Sequence, residues 1–192
     1  PARLRSREQR RSLTQLAQQR ISDVLRPGDA VVDATVGNGF DTVFLAQQVG
    51  ESGRVDGFDI QQAALQSTQK RLDAAGLQNV RLHLTSHADF AQHVTGEITV
   101  AMFNLGYLPR SDHSIVTQAD STIAALEQMQ TQLRPGGVIT VLAYRGHEGG
   151  PEESQAVESW LQAQSHCTLE RFDSQPPKPA SPVLFVLTKR VG

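Results

Sequence analysis

With 192 residues, 20 acidic against 18 basic side chains, a formal net charge of −2 and one cysteine, the chain can bury a real core. The same counts exclude a disulfide scaffold, a cysteine-built metal site and a uniformly basic nucleic-acid binder. No apolar run approaches membrane-spanning length and the arginine-rich start lacks the apolar stretch of a signal peptide, so one cytoplasmic domain over 1–192 is expected.

In chain order, residues 1–26 hold seven Arg against Glu8 and Asp23, net +5, leaving net −7 for the remainder. Such a basic segment either contacts nucleic acid or solvates a helix face. Leu13, Leu16, Ala17, Ile21, Val24 and Leu25 recur at helical spacing, and Pro27-Gly28 ends that helix. Strands are expected at 30–34, 54–59, 80–85, 98–103 and 137–143, separated by helices near 42–49, 61–75 and 117–133 and a single turn at 88–92. A helix from Pro151 through Trp160 leads to a strand at 167–172, where Cys167 has a packing role. A turn with Pro176, Pro177, Pro179 and Pro182 then precedes a last strand at 183–188. The alternation predicts a Rossmann-like, doubly wound α/β sheet of seven strands, and the loop-joined final pair predicts an antiparallel last strand.

The stretch Val31-Val32-Asp33-Ala34-Thr35-Val36-Gly37-Asn38-Gly39-Phe40-Asp41-Thr42, followed by Gly57-Phe58-Asp59-Ile60, reads as strand, glycine turn, helix start and second strand ending on an acid. Such a turn brings backbone N–H groups close to a ligand, and a carboxylate at the next strand tip can hold ribose hydroxyls, so a nucleoside cofactor is implied. Dinucleotide sites place a third glycine where Thr42 stands, and Asp41 puts negative charge where a diphosphate would bind. S-adenosylmethionine has no phosphate and carries two cationic groups, which suit Asp33 and Asp41. NAD binding is not expected.

Five βα units and a terminal hairpin resemble the class I S-adenosylmethionine-dependent methyltransferase fold. Four blocks sharpen the likeness: 33–42, Gly57-Phe58-Asp59-Ile60-Gln61, Phe103-Asn104-Leu105-Gly106-Tyr107-Leu108-Pro109, and Tyr144-Arg145-Gly146-His147-Glu148-Gly149-Gly150-Pro151-Glu152-Glu153. In this order they resemble the bacterial rRNA methylase family, whose characterised members are MnmM-type tRNA wobble-uridine methyltransferases. The resemblance implies methyl transfer to the aminomethyl nitrogen on C5 of uridine or 2-thiouridine, with the tRNA anticodon stem-loop as partner. A methyltransferase acting on rRNA or a small amine is the alternative, and a nucleotide-binding module without catalysis a further one.

Ligands of open α/β sheets lie beyond the strands' carboxyl ends. Asp33, Gly37, Asn38, Gly39, Asp41 and Thr42 are therefore candidates for the methionine moiety, Asp59 for the ribose, and Ile60, Gln61, Ser86 and His87 for the adenine. Many class I enzymes carry an acid where Ser86-His87 stands; Ser86 and Gln61 can equally be caps or turn formers. Asn104 ends an apolar strand where the methyl acceptor belongs. Tyr107 and Tyr144 are candidates to stack on a flipped base, and His147 to accept a proton. Leu108 to Gln118 reads as a substrate loop with Arg110, Asp112 and His113; Arg145 can hold phosphate, and one of Glu148, Glu152 and Glu153 a cationic amine. For Glu152 and Glu153, a place beside Pro151 in a helix first turn is the stronger reading. The six histidines lack ligand spacing, so no metal is expected. A homodimer would double the basic N-terminal surface.

Overall fold

The computed structural model describes residues 12–106, 119–176 and 178–192. Helix α1 (Leu13–Ser22) precedes β1 (Ala30–Asp33), α2 (Phe40–Val49), β2 (Arg54–Asp59), α3 (Gln62–Ala74) and β3 (Val80–Leu84). A 3₁₀ turn (His87–Asp89) runs into the one-turn α4 (Phe90–His93); β4 (Ile98–Leu105), α5 (Ala119–Gln132), β5 (Leu133–Ala143), α6 (Gly150–Gln162), β6 (Cys167–Asp173) and β7 (Val183–Lys189) follow.

The seven strands form one sheet in the order β3-β2-β1-β4-β5-β7-β6. The first five pair in parallel, whereas β7 runs antiparallel between β5 and β6, as the terminal hairpin predicts. Because β1 pairs with both β2 and β4, strand order reverses there, and a crevice opens at the carboxyl ends of β1 and β4.

The sheet is covered on both faces. Phe58, Phe90, Phe103, Leu126, Met129, Val157 and Phe185 form the layer beneath α4, α5 and α6; Val31, Val55, Val100 and Leu184 meet α1 and α2 through Leu16, Ile21, Leu45 and Val49 on the other side. Ser12 starts α1 with a capping box, accepting from the Gln15 backbone N–H at 3.2 Å while the Gln15 side chain accepts from the Ser12 N–H at 3.1 Å. Full burial of Leu16 and Ile21, roughly 1.5–3 kcal/mol each, holds this helix against the sheet. Cys167 is buried and unoxidised.

Most element boundaries fall within two residues of the expected ones, and three differences have a definite cause. Helix α1 stops at Ser22, and Val24 and Leu25 close its end by donating to the Ile21 carbonyl at 3.1 and 3.0 Å. Strand β5 starts at Leu133, not 137, because Leu133 pairs with Ile98 before Pro135-Gly136-Gly137 shifts the register to Val100↔Val138. The Pro-Gly signal thus marks an irregularity within a strand. Strand β4 continues through Asn104 and Leu105, which pair with Leu142 and Ala143.

Candidate active site

The glycine turn after β1 is shaped by what lies beneath it. Gly37 and Gly39 adopt left-handed φ values of 54° and 80°, and Gly39 caps α2 with its N–H bonded to the Val36 carbonyl at 2.9 Å. A Cβ on Gly39 would lie 2.5 Å from the Thr68 hydroxyl, which reaches up from α3 to donate to the Gly37 carbonyl at 3.2 Å. Arg71 donates to the Asn38 carbonyl at 3.1 Å and lays its guanidinium 4.0 Å from the centroid of the exposed Phe40 ring. Helix α3 therefore fixes the loop from one side.

Asp59, at the tip of β2, accepts from the Gly37 N–H at 2.9 Å with one oxygen and from the Gln61 N–H at 2.8 Å with the other. Each oxygen keeps a further lone pair, so the carboxylate can lock the loop and still accept from a ligand hydroxyl. Gln61 thus supplies a backbone contact at the α3 N-terminus, and the neighbouring Ile60 is 57% exposed, an apolar surface beside the acid.

Asp33 is fully buried. It accepts from the Thr42 hydroxyl at 2.7 Å and the Thr35 N–H at 3.2 Å, yet burial, reinforced by the nearby Asp41 charge, pushes its carboxyl up to about 7. Thr42 is itself completely buried, with its hydroxyl engaged by Asp33. A buried acid held this far from its ordinary value gains most from a cation beside it.

These features fit S-adenosylmethionine. The turn leaves no room for side chains at Gly39, Asp59 offers lone pairs to a ribose, Ile60 offers an apolar face, and Asp33 and Asp41 offer negative charge to cationic groups. Asp59→Ala is expected to weaken cofactor binding about 10- to 150-fold, corresponding to roughly 1.5–3 kcal/mol for charge-assisted hydrogen bonds. Calorimetry on the folded variant checks this; an unchanged dissociation constant places the ribose elsewhere.

On the β4 side of the crevice, the Asn104 backbone N–H donates to the Thr35 hydroxyl at 2.7 Å, and its side-chain amide donates to Asp41 at 2.7 Å. Asp41 also accepts from Gln18 of α1 at 3.1 Å. A carboxylate only accepts, so the amide must present its NH₂ to Asp41, leaving the Asn104 carbonyl oxygen for another donor. Tyr144, just past β5, is 44% exposed, with Thr14 close to its hydroxyl and Asp41 near enough for its charge to be felt. Partial burial pushes the phenol above its usual range, so it stays protonated at neutral pH.

His147 points Nδ1 at the Glu148 carbonyl at 3.0 Å. A carbonyl accepts only, so Nδ1 carries a proton. A Cβ on Gly150 would come 3.1 Å from that ring and one on Gly106 3.7 Å, so these two glycines shape the space around it. His87 donates in the same manner from Nδ1 to the Ala34 carbonyl at 2.9 Å, packs edge-on against Phe103, and is held neutral because burial lowers its pKa. Ser86 uses its hydroxyl to cap the 3₁₀ turn, accepting from the Ala88 N–H at 3.1 Å.

Arg145 donates to the Ser181 carbonyl at 2.8 Å and so braces the loop before β7. Glu148 and Glu152 are exposed, whereas Glu153 is buried and accepts from the Thr122 hydroxyl of α5 at 3.0 Å. Glu153 thus packs between helices and does more than complement a helix dipole. Tyr107, Arg110, Asp112 and His113 lie outside the described residues. Thr14, Gln18, Thr35 and Thr68 are not among the candidate site residues that the sequence singles out. Thr35 lies inside the quoted loop motif, but nothing in the sequence pairs Gln18 with Asp41, 23 residues away. Among the described residues no cluster of three or more His, Cys, Asp or Glu is arranged for a metal ion, and no helix is long and apolar enough to cross a membrane.

Comparison with known proteins agrees with this geometry. The family described as "Putative rRNA methylase" matches residues 55–188. A tRNA (mnm(5)s(2)U34)-methyltransferase, chloroplastic, of Arabidopsis thaliana is 36% identical over 94% of this chain and 70% of its own length. The crystal structure of an rRNA methylase of the same description from Clostridium thermocellum superposes with a TM-score of 0.90 at 39% identity, covering 93% of this chain and 98% of that one. A methyltransferase from Streptococcus mutans, in complex with SAH, superposes with a TM-score of 0.85 at 32% identity over 93% and 98% of the two chains. With the family matched over more than half of its length and close relatives along nearly all of it, the chain belongs to the rRNA methylase family of class I methyltransferases.

Proposed function

We propose that the chain is an S-adenosylmethionine-dependent N-methyltransferase that converts 5-aminomethyl-uridine, or its 2-thio form, to the 5-methylaminomethyl form at the tRNA wobble position. The observation that carries this reading is Asn104: its NH₂ is committed to Asp41 at 2.7 Å, leaving its carbonyl oxygen at the β1/β4 crevice for an N–H of the acceptor amine. The 36% identity to a plant tRNA methyltransferase supports the choice of substrate.

Bound S-adenosylmethionine supplies a methyl group on a sulfonium centre that departs as a neutral thioether. The protein's task is alignment, which can contribute on the order of 7 to 11 kcal/mol at best. Asn104 holds an amine N–H and turns the nitrogen lone pair toward the methyl carbon. Tyr144, a neutral and partly exposed phenol, stacks on the flipped wobble base. His147, in the loop after β5, takes the proton that the amine must lose before attack. Asp33 and Asp41 hold the cationic methionine end, Asp59 the ribose, and Ile60 the adenine.

We further read 1–192 as a single domain that engages the anticodon stem-loop through its basic N-terminal segment, alone or doubled in a homodimer, in the compartment that holds its tRNA. Mass spectrometry of tRNA nucleosides from cells with and without the gene tests the reaction. Loss of methylaminomethyl-uridine with accumulation of its aminomethyl precursor is expected; unchanged tRNA with a lost rRNA or small-molecule methyl group would overturn the assignment.

A further inference from the structure

Helix α1 reaches the reacting centre with one stripe of side chains. Thr14 and Gln18 are four residues apart, so both project from the same face of the helix. Thr14 lies close to the Tyr144 hydroxyl, and Gln18 donates from Nε2 to Asp41 Oδ1 at 3.1 Å. The other face of the helix, at Leu16, Ala17 and Ile21, is buried against the sheet, and the Ser12 capping box fixes where the helix begins. The stripe is therefore held on a rigid element and not on a frayed end.

Asp41 has two oxygens, and both are engaged: Oδ1 by Gln18 and Oδ2 by Asn104 at 2.7 Å. Asn104 is in turn pinned through its backbone N–H to Thr35 at 2.7 Å. The chain Gln18–Asp41–Asn104 thus sets both the rotamer of Asp41 and the flip of the Asn104 amide. With Gln18 removed, Oδ1 loses its anchor and the carboxylate, held by Asn104 alone, is free to rotate. The Asn104 carbonyl would then lose its fixed direction.

We infer that Gln18 is a positioning residue for methyl transfer: it holds Asp41 so that Asn104 presents its carbonyl oxygen to the acceptor amine, which makes α1 a wall of the catalytic pocket. This rests on the proposed amine acceptor only for the activity arm of the test. Gln18→Met keeps the length and removes the donor; Gln18→Glu replaces the donor with a like charge facing Asp41. Single-turnover methylation of aminomethyl-containing tRNA at saturating cofactor should fall about tenfold in Gln18→Met and further in Gln18→Glu at pH 8, while cofactor affinity changes far less than the rate, since losing one hydrogen bond to a charged group is worth roughly 1.5 kcal/mol or more. A residue that merely fills space would treat the two variants alike.

The second arm needs no substrate. The Asn104 side-chain amide, assigned in the ¹H–¹⁵N spectrum by its loss in Asn104→Ala, should show one proton shifted downfield and protected from exchange in the wild type, and should lose both features in Gln18→Met. An unchanged Asn104 signal, or a wild-type rate in the folded Gln18→Met protein, overturns the inference. So does a loss of cofactor affinity as large as the loss of rate, which would reassign Gln18 to cofactor contact. Altered amide signals together with a wild-type enzyme inactive on aminomethyl tRNA would instead overturn the substrate reading while upholding the Gln18 contact.

Discussion

Replacing Asn104 with alanine is expected to lower the single-turnover rate of methyl transfer on the order of 10²- to 10³-fold while changing cofactor affinity far less. The residue is fixed from two sides, by Thr35 at its backbone and Asp41 at its side chain, both at 2.7 Å. An amide oxygen held ready at the point where the amine arrives pays no reorganisation cost as the N–C bond forms, so its loss falls on the transition state and appears in kcat. Truncation also strips Asp41 of one donor, so a modest change in cofactor binding accompanies the rate loss. Asn104→Asp separates the two effects: it keeps an acceptor oxygen but sets a carboxylate against Asp41, and is expected to lose both rate and stability. Rapid-quench methylation with calorimetry as the binding control measures the partition. A wild-type rate in Asn104→Ala would move the catalytic assignment to Tyr144, His147 or Tyr107.

The order of the strands was readable because each β-strand is an apolar run bounded by turn residues, and the hairpin was readable because four prolines leave no room for a helix before β7. The glycine turn and the acids that end β1 and β2 were also legible, since Gly37, Gly39, Asp33 and Asp59 fall within short stretches whose local geometry carries their meaning. What stayed hidden depends on contacts between distant segments. Thr68 props Gly37 from 31 residues away, Gln18 reaches Asp41 across 23, and Glu153 meets Thr122 across 31. A helical periodicity identifies the buried face of α1 but says nothing about where its polar face points. Ser86 shows the converse limit: the motif placed it at the right strand end, but a local hydrogen bond to the Ala88 N–H engages its hydroxyl. Thr42 was read as a departure from the dinucleotide pattern, and its buried hydroxyl on Asp33 gives that departure a purpose.

That buried acid leads to a pH dependence opposite in sign to the one usual for carboxylates. In the folded protein Asp33 has its pKa raised from 3.8 to about 7, chiefly by burial and secondarily by Asp41. Between these two values the folded state holds a proton that the unfolded state has lost, so stability without cofactor falls as pH rises from about 4 to 7 and levels off above. At 1.36 kcal/mol per pH unit the full effect is of the order of 4 kcal/mol. A cation bound beside the carboxylate reverses the balance by favouring its ionised form, so cofactor affinity should climb by up to about tenfold per unit across pH 5 to 7 and then flatten. Asp33→Asn should abolish that climb. The variant keeps an acceptor for the Thr35 N–H and can donate to the Thr42 hydroxyl, so it should fold, melt several degrees above the wild type at pH 8 without cofactor, and bind S-adenosylmethionine at least tenfold more weakly. Calorimetry at a series of pH values, paired with thermal denaturation of both proteins, reads the two effects independently. Wild-type affinity that is flat from pH 5 to 8, with a variant no more stable at pH 8, would show that Asp33 is already ionised in the folded protein and that its charge is balanced before any cofactor binds.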